Sequence, residues 1–205
     1  MRLHRHCASR VTSVRDRIVA ALTAIEPLDE LERVQRADAI AWADAGSPLC
    51  RTAKPATPPK HLVAYFAVID LAAQHCLLVD HRLAGLWLPT GGHVEPDELP
   101  AATVARESVE ELGVEARLVA GLSCNPLFVT QATTVGTDAG HVDVSLWYVC
   151  EIDSGAEVRP DPREFVAVRW WRFADILAAD PARLDLNLPR FIDKLIREGS
   201  RRATA

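Results

Sequence analysis

Residues 91–114, GGHVEPDELPAATVARESVEELGV, constrain the fold more than any other part of this chain. Pro100 suits the first turn of a helix, where its missing N–H costs nothing. Gly113 suits the position just past a helix end, where the backbone often turns left-handed. Asp97 and Glu98 would lie near the positive end of the helix dipole. The segment therefore predicts a glycine pair, an acidic turn and a helix that starts near Pro100 and ends at Gly113.

This helix is expected to carry an apolar stripe and an acidic patch. Residues at i, i+3 and i+4 spacing form the stripe that should be buried: Ala101, Val104, Ala105, Ser108 and Leu112. At about 100° per residue, Glu110 and Glu111 fall roughly 60° and 40° either side of Glu107. Three carboxylates therefore project from one patch of the helix within about one turn.

Carboxylates at this spacing repel one another, so they favour a positively charged partner. A hard divalent cation such as Mg²⁺ or Mn²⁺ prefers oxygen ligands and reverses the sign of that interaction. Gly91 and Gly92 lack a Cβ, so their backbone can approach a bound ion closely. Arg106 is placed to hold Glu98 by a forked hydrogen bond. A solvated acidic face would explain ESVEE in isolation, whereas the glycines and the arginine around it favour a metal site.

The spacing of these residues resembles the Nudix box, G-x5-E-x7-R-E-U-x-E-E-x-G-U, where U is a bulky aliphatic residue. Gly92, Glu98 and the run from Arg106 to Val114 supply every fixed residue at the right spacing. The one departure is Ser108, where the pattern has an aliphatic residue. Ser108 lies on the predicted buried stripe, so we expect a small loss of core stability and no effect on the acids.

The resemblance implies an α/β (α+β) fold of the Nudix type, an α/β/α sandwich with a mixed β-sheet. It also implies a hydrolase that cleaves a diphosphate bond in a nucleoside diphosphate linked to another moiety, with Mg²⁺ or Mn²⁺ as cofactor. By motif position, the metal ligands would be Glu107 and Glu111, assisted by Glu110 and the Gly92 carbonyl. Arg106 and Glu98 would form a supporting salt bridge.

The family varies in the position of its general base, so two acids are candidates for it. Glu110 is the candidate within the box, and Glu164, in PREFVAVRWW, is the candidate on a later loop; an ordinary exposed glutamate explains Glu164 equally well. For substrate binding, Arg82 could meet a phosphate, and Trp87 could stack on a base although core packing also explains it.

Two further polar residues, His141 and Asp143 in GHVDVSLWY, could face the substrate. A hydrogen-bonded turn accounts for them about as well. Trp170 and Trp171 are expected to be core and sheet-face residues.

Composition places the chain among ordinary globular proteins, with 49% apolar and 25% charged residues. Neither a membrane-spanning run nor a secretory signal is apparent, and five scattered cysteines argue against a disulfide framework and a zinc site. These features predict a cytoplasmic protein. The net charge is +3 over residues 1–60 and −8 over residues 61–205; no basic block forms, which disfavours nucleic acid as a partner.

The chain is expected to have two parts. Residues 1–58 would form a helical extension, with helices over 11–25 and 28–45 and a proline-rich connector that is either a linker or a strap. Residues 59–205 would form the Nudix domain with a helix near residues 189–198 at its end. Strands are predicted over residues 61–70, 76–82, 116–122, 126–135, 141–153 and 164–171.

The N-terminal helices leave the biological role partly open. They could mediate homodimer contacts or cover the cleft, or belong to a non-catalytic Nudix-fold module that senses a nucleotide without cleaving it. A module freed from catalysis could lose its metal-binding acids, and all are intact here, which favours the enzyme. The box does not select among ADP-ribose, an oxidised nucleoside triphosphate, a dinucleoside polyphosphate and a nucleotide sugar, so the expected partner is a small nucleotide-type diphosphate.

Overall fold

A computed structural model describes residues 12–203 except 55, 121, 123–124, 135–139 and 154–155. Cys7, Cys124, Val11 and the ends of two predicted strands therefore lie outside the described residues. The helices are α1 Val14–Thr23, α2 Glu30–Asp44, α3 Pro100–Leu112, α4 Phe173–Ala178 and α5 Leu188–Ala203, with a short 3-10 helix at Pro181–Arg183. The strands are β1 Lys60–Asp70, β2 His75–His81, β3 Leu86–Leu88, β4 Thr90–His93, β5 Arg117–Leu118, β6 Phe128–Thr133, β7 Val142–Glu151 and β8 Phe165–Arg172.

One mixed sheet built around the long strand β1 forms the centre of the molecule. β1 pairs in parallel with β7 and antiparallel with both β2 and β4. β7 in turn pairs with β5 and β6, and β2 pairs with β3 and β8. The short strand β4 delivers Gly91 and Gly92 to the middle of the sheet, opposite Tyr65 and Ala64 of β1.

Helices cover both faces of the sheet, because alternate residues of the central strands are buried on opposite sides. On β1, Phe66 belongs to the core that contains Val104 and Leu112 of α3. Ala67, its neighbour, belongs to the core that contains Phe191 of α5. The predicted α/β/α sandwich with a mixed sheet is confirmed.

The predicted burial pattern of α3 is correct in part. Val104, Ser108 and Leu112 are buried as the stripe requires, but Ala105 is exposed. Glu111 is buried instead, because α3 packs against β4 along its glutamate side, where the Gly91 N–H donates to Glu111.

The N-terminal helices pack into the same core as the sheet. Ile18 and Leu22 of α1 are fully buried in the cluster that contains the β1 residues. Helix α2 covers the outer edge of β6, where Glu32 accepts the Val129 N–H at 3.3 Å and Gln35 donates to the Gln131 carbonyl at 3.0 Å. These contacts shield an edge that would otherwise expose unpaired backbone groups.

A buried ion pair links α2 to α5. Lys194 of α5 donates to Glu32 at 2.7 Å, and both side chains are almost completely buried. Glu32 also accepts the Leu28 N–H at 2.6 Å. Within the part of the chain that the structure describes, no helix is both long and apolar enough to span a membrane.

Candidate active site

The glycine pair of β4 and the acids of α3 are in direct contact. The Gly91 N–H donates to a carboxylate oxygen of Glu111 at 3.0 Å. A Cβ built on Gly92 would come within 1.9 Å of Glu107 Oε1. Any side chain at position 92 would thus displace the Glu107 carboxylate, which explains physically why glycine occupies this position.

Arg106 connects the acidic residues to one another. Its guanidinium donates to both Glu98 oxygens at 3.2 and 3.1 Å, so the predicted salt bridge is present. It also donates to Glu107 at 2.7 Å and to Glu110 at 3.4 Å, and to the His93 carbonyl at 3.2 Å. The Arg106 guanidinium alone therefore holds the turn before α3, Glu107 and Glu110 in one arrangement.

Burial and mutual repulsion raise the pKa values of the acids nearest the glycines. The pKa of Glu111 rises to about 9, first because of burial and then because of the charges of Glu107 and Glu164. Burial also raises the pKa of Glu107, although Arg106 opposes that rise. A buried carboxyl that holds its proton near neutral pH marks a place where negative charge lacks compensation.

The loop that carries Glu164 is bound to the end of α3. The Arg159 N–H donates to the Leu112 carbonyl at 2.8 Å, and the Asp161 N–H donates to the Glu111 carbonyl at 2.9 Å. These bonds satisfy carbonyls that the helix leaves unpaired at its C-terminus. They also bring the Glu164 charge close enough to raise the pKa values of Glu107 and Glu111.

Arg82 supports the same loop. Its backbone N–H donates to the Glu164 carbonyl at 2.8 Å, and its Nε donates to the Pro162 carbonyl at 2.9 Å. Its side chain is exposed. A phosphate-binding role for Arg82 stays a prediction, and the structure adds a positioning contact that the sequence did not indicate.

The structure places Trp87 away from the acids. Leu86 and Leu88 pack into the core on the α3 side of the sheet, whereas Trp87 packs into the core on the α5 side. Its ring lies 5.5 Å from that of Trp171, and Arg169 lies over it at 5.2 Å. Base stacking by Trp87 stays a prediction that these contacts do not support.

Two contributions to the site were missed by the sequence reasoning. Thr103 donates to Glu98 at 2.8 Å, a contact that its position one helical turn before Arg106 could have suggested. The Ser108 hydroxyl accepts the Ala116 N–H at 3.1 Å and donates to the Ala105 carbonyl at 3.0 Å. The departure from the box pattern therefore supplies a hydrogen bond to the chain that leaves α3.

His141 and Asp143 lie in a separate group where β7 begins. His141 is 3% exposed, and its Nδ1 lies 3.0 Å from the Thr134 hydroxyl. This contact favours the hydrogen-bonded turn over a substrate-facing role for His141.

Comparison with known proteins gives one consistent result. The family model for the NUDIX domain matches residues 60–195, and no curated protein matches the sequence significantly. Among solved structures, a NUDIX-family hydrolase from Clostridium perfringens has a TM-score of 0.53 at 23% identity, with 66% of this chain and 97% of that chain covered.

Two further solved structures show the same fold. A MutT protein from Methanosarcina mazei Go1 has a TM-score of 0.53 at 22% identity, with 69% of this chain and 96% of that chain covered. The dihydroneopterin triphosphate pyrophosphohydrolase of E. coli has a TM-score of 0.52 at 11% identity, with 74% and 99% covered.

Proposed function

The chain belongs to the Nudix family of hydrolases, and on that premise we propose that it is a metal-dependent pyrophosphohydrolase of a small nucleotide-type diphosphate. The observation that carries the proposal is the packing of Glu107 and Glu111 against the Gly91–Gly92 backbone. One structural neighbour is named as a pyrophosphohydrolase of dihydroneopterin triphosphate, which supports a pyrophosphate bond as the site of cleavage.

The residues at this position fit a hard divalent cation. The donors are carboxylate oxygens and a backbone carbonyl, the set that Mg²⁺ and Mn²⁺ prefer. Burial, and then the charges of Glu107 and Glu164, raise the pKa of Glu111, and a bound cation would offset both effects. Glu107, Glu111, Glu110 and the Gly92 carbonyl would hold the ion. When bound, it would neutralise the phosphate oxygens and lower the pKa of water.

The chain's own residues supply positioning and a proton acceptor. Arg106 holds Glu98 and Glu107 in place, and the Glu107 carboxylate faces Gly92. Binding of an ion therefore costs Glu107 little further side-chain entropy. Glu164 is the proposed acceptor of the proton from the attacking water. It makes no ion pair with any residue that the structure describes, whereas Glu110 is paired with Arg106. Glu110 is the alternative base.

Arg82 is the proposed contact for a substrate phosphate. Its Nε is occupied by the Pro162 carbonyl, its side chain is exposed, and its backbone N–H binds the Glu164 carbonyl. A forked donor at this position would orient a phosphate next to the proton acceptor. Charge attraction from Arg82 would partly offset the acidic character of this half of the chain.

A substrate panel tests the proposal. ADP-ribose, an oxidised nucleoside triphosphate, a dinucleoside polyphosphate and a nucleotide sugar would each be incubated with Mg²⁺ or Mn²⁺, and the products separated by ion exchange. We expect hydrolysis of at least one compound, its loss without added cation, and its loss in Glu111→Gln. Glu115→Gln is the matched control, because Glu115 is an exposed acid outside the site. Tight binding of a compound without cleavage would instead indicate a nucleotide-sensing module.

Two variants separate the candidate bases. Glu164→Gln should lower kcat by about 10²–10⁴ at saturating cation while the cation requirement stays unchanged. Glu110→Gln should mainly raise the cation concentration needed for half-maximal rate. The opposite result, a kcat defect confined to Glu110→Gln, would assign the base to Glu110.

A further inference from the structure

Four metal-ligand side chains, none of them a box acid, converge where β1 and β7 begin and β4 ends. They are His61 of β1, His93 at the end of β4, His141 just before β7 and Asp143 within β7, and we call them the histidine cluster. One ligand atom from each lies within 4.8 Å of the others. Strand register brings them together, because His61 lies opposite Asp143 and Val63 lies opposite His93.

Three buried polar atoms of the cluster make no hydrogen bond to any residue that the structure describes. They are His61 Nε2, His93 Nε2 and Asp143 Oδ1. Two of them are nevertheless close, since Asp143 Oδ1 lies 3.2 Å from His61 Nε2 and 3.4 Å from His141 Nε2. His61 is fully buried, so an unpaired ring nitrogen there is costly. The atoms approach one another without hydrogen-bonding geometry, as ligands of one ion do.

The contacts of His61 Nδ1 and His141 Nδ1 leave the Nε2 atoms of the two rings available to bind a cation. His61 Nδ1 lies 2.9 Å from the Pro58 carbonyl, which can only accept, so Nδ1 carries the proton. His61 Nε2 then presents a lone pair to the carboxylate of Asp143, and two lone pairs repel unless a positive charge lies between them. His141 Nδ1 faces the Thr134 hydroxyl, which can accept in the same way. Such partners orient metal-binding histidines in other proteins.

We infer that the histidine cluster is a structural Zn²⁺ site, distinct from the proposed Mg²⁺ or Mn²⁺ site of the box acids. Three imidazoles and one carboxylate suit Zn²⁺, whereas an all-oxygen set suits Mg²⁺. Ligands about 2.0–2.1 Å from a tetrahedral ion lie about 3.3 Å from one another. The separations of 3.2 and 3.4 Å agree with that geometry.

Four protein ligands close a tetrahedral site, so this ion would stabilise structure and would not bind substrate. It would join β1, β4 and β7 at one point. His93 directly follows Gly92, and its carbonyl accepts from Arg106. The ion would therefore fix the end of the strand against which Glu107 and Glu111 pack. The ligands here are histidines and an aspartate, so the scattered cysteines do not bear on this site.

Metal analysis of the full-length, tag-free protein tests the inference. Protein loaded with Zn²⁺ and then desalted should retain one equivalent by elemental analysis, and Co²⁺ in its place should give the visible absorption of a tetrahedral site. Chelation should lower the melting temperature. His141→Ala and the more conservative Asp143→Asn should lose the retained zinc, and chelation should no longer shift their melting temperatures.

Two controls distinguish this site from the hydrolase site. His75→Ala removes a histidine outside the cluster and should keep its zinc. Glu111→Gln should lose hydrolysis and also keep its zinc. Zinc retention therefore tests the histidine cluster independently of whether the protein hydrolyses any nucleotide. Zinc retention below a tenth of an equivalent in the wild type, or equal retention in Asp143→Asn, would overturn the inference.

Discussion

Replacing Glu111 with glutamine should change how the stability of the protein depends on pH when no Mg²⁺ or Mn²⁺ is present. The folded protein raises the pKa of Glu111 from 4.5 to about 9. Between these values the folded chain holds a proton that the unfolded chain releases. The stabilisation that Glu111 contributes is therefore complete below its pKa in the unfolded chain, and it falls as pH rises towards its pKa in the folded protein.

The size of the effect follows from linkage. One proton corresponds to about 1.4 kcal/mol per pH unit, so Glu111 alone should lower the free energy of unfolding by about 3 kcal/mol between about pH 6 and about pH 8. Glutamine cannot ionise, and its amide oxygen can still accept the Gly91 N–H. Glu111→Gln should lack this decline and be more stable than the wild type at the higher pH.

Urea unfolding of both proteins at several pH values measures the effect. All other ionisable groups are shared, so the difference in unfolding free energy between the two proteins reports Glu111 together with its coupling to Glu107 and Glu164, and it cancels the histidine cluster. That difference should grow in favour of Glu111→Gln as pH rises. A difference that is independent of pH, or one that grows in favour of the wild type, would refute the assignment of a protonated Glu111. Saturating Mn²⁺ should remove the wild type's disadvantage.

Three further predictions concern packing. Ser108→Ala should destabilise the protein by about 1 kcal/mol in urea unfolding, because the partly buried Ala116 N–H loses its acceptor. Lys194→Met should cost about 3–5 kcal/mol in the same measurement, since Glu32 keeps a buried charge, and adding Glu32→Gln should recover part of that loss. Deleting residues 1–58 should cause aggregation in size-exclusion chromatography by exposing the core that α1 and α2 cover; a soluble, fully active product would contradict this packing.

The acidic patch was predictable because it depends on local geometry alone. Helical spacing places Glu107, Glu110 and Glu111 on one patch whatever the rest of the fold does. The Arg106–Glu98 contact was also predictable, since both residues lie in one short segment. The box spacing indicated the family, and the family indicated the sandwich.

Burial within that segment was less predictable. Periodicity predicted that Ala105 is buried, and the structure buries Glu111 instead. A helix stripe defines which residues share a side, but the partner strand decides which edge of that side is covered. Here β4 approaches along the glutamate edge, because two glycines leave room for the carboxylates.

Sequence alone thus determined the family, the mixed-sheet sandwich and the local arrangement of the box acids, all of which follow from short-range spacing. Tertiary structure decided what depends on strand register and on contacts between distant segments. The cover of α2 on β6 and the meeting of His61 with Asp143 are of this kind. Such contacts leave no periodic signal, because the residues that make them are neighbours only after the strands have paired.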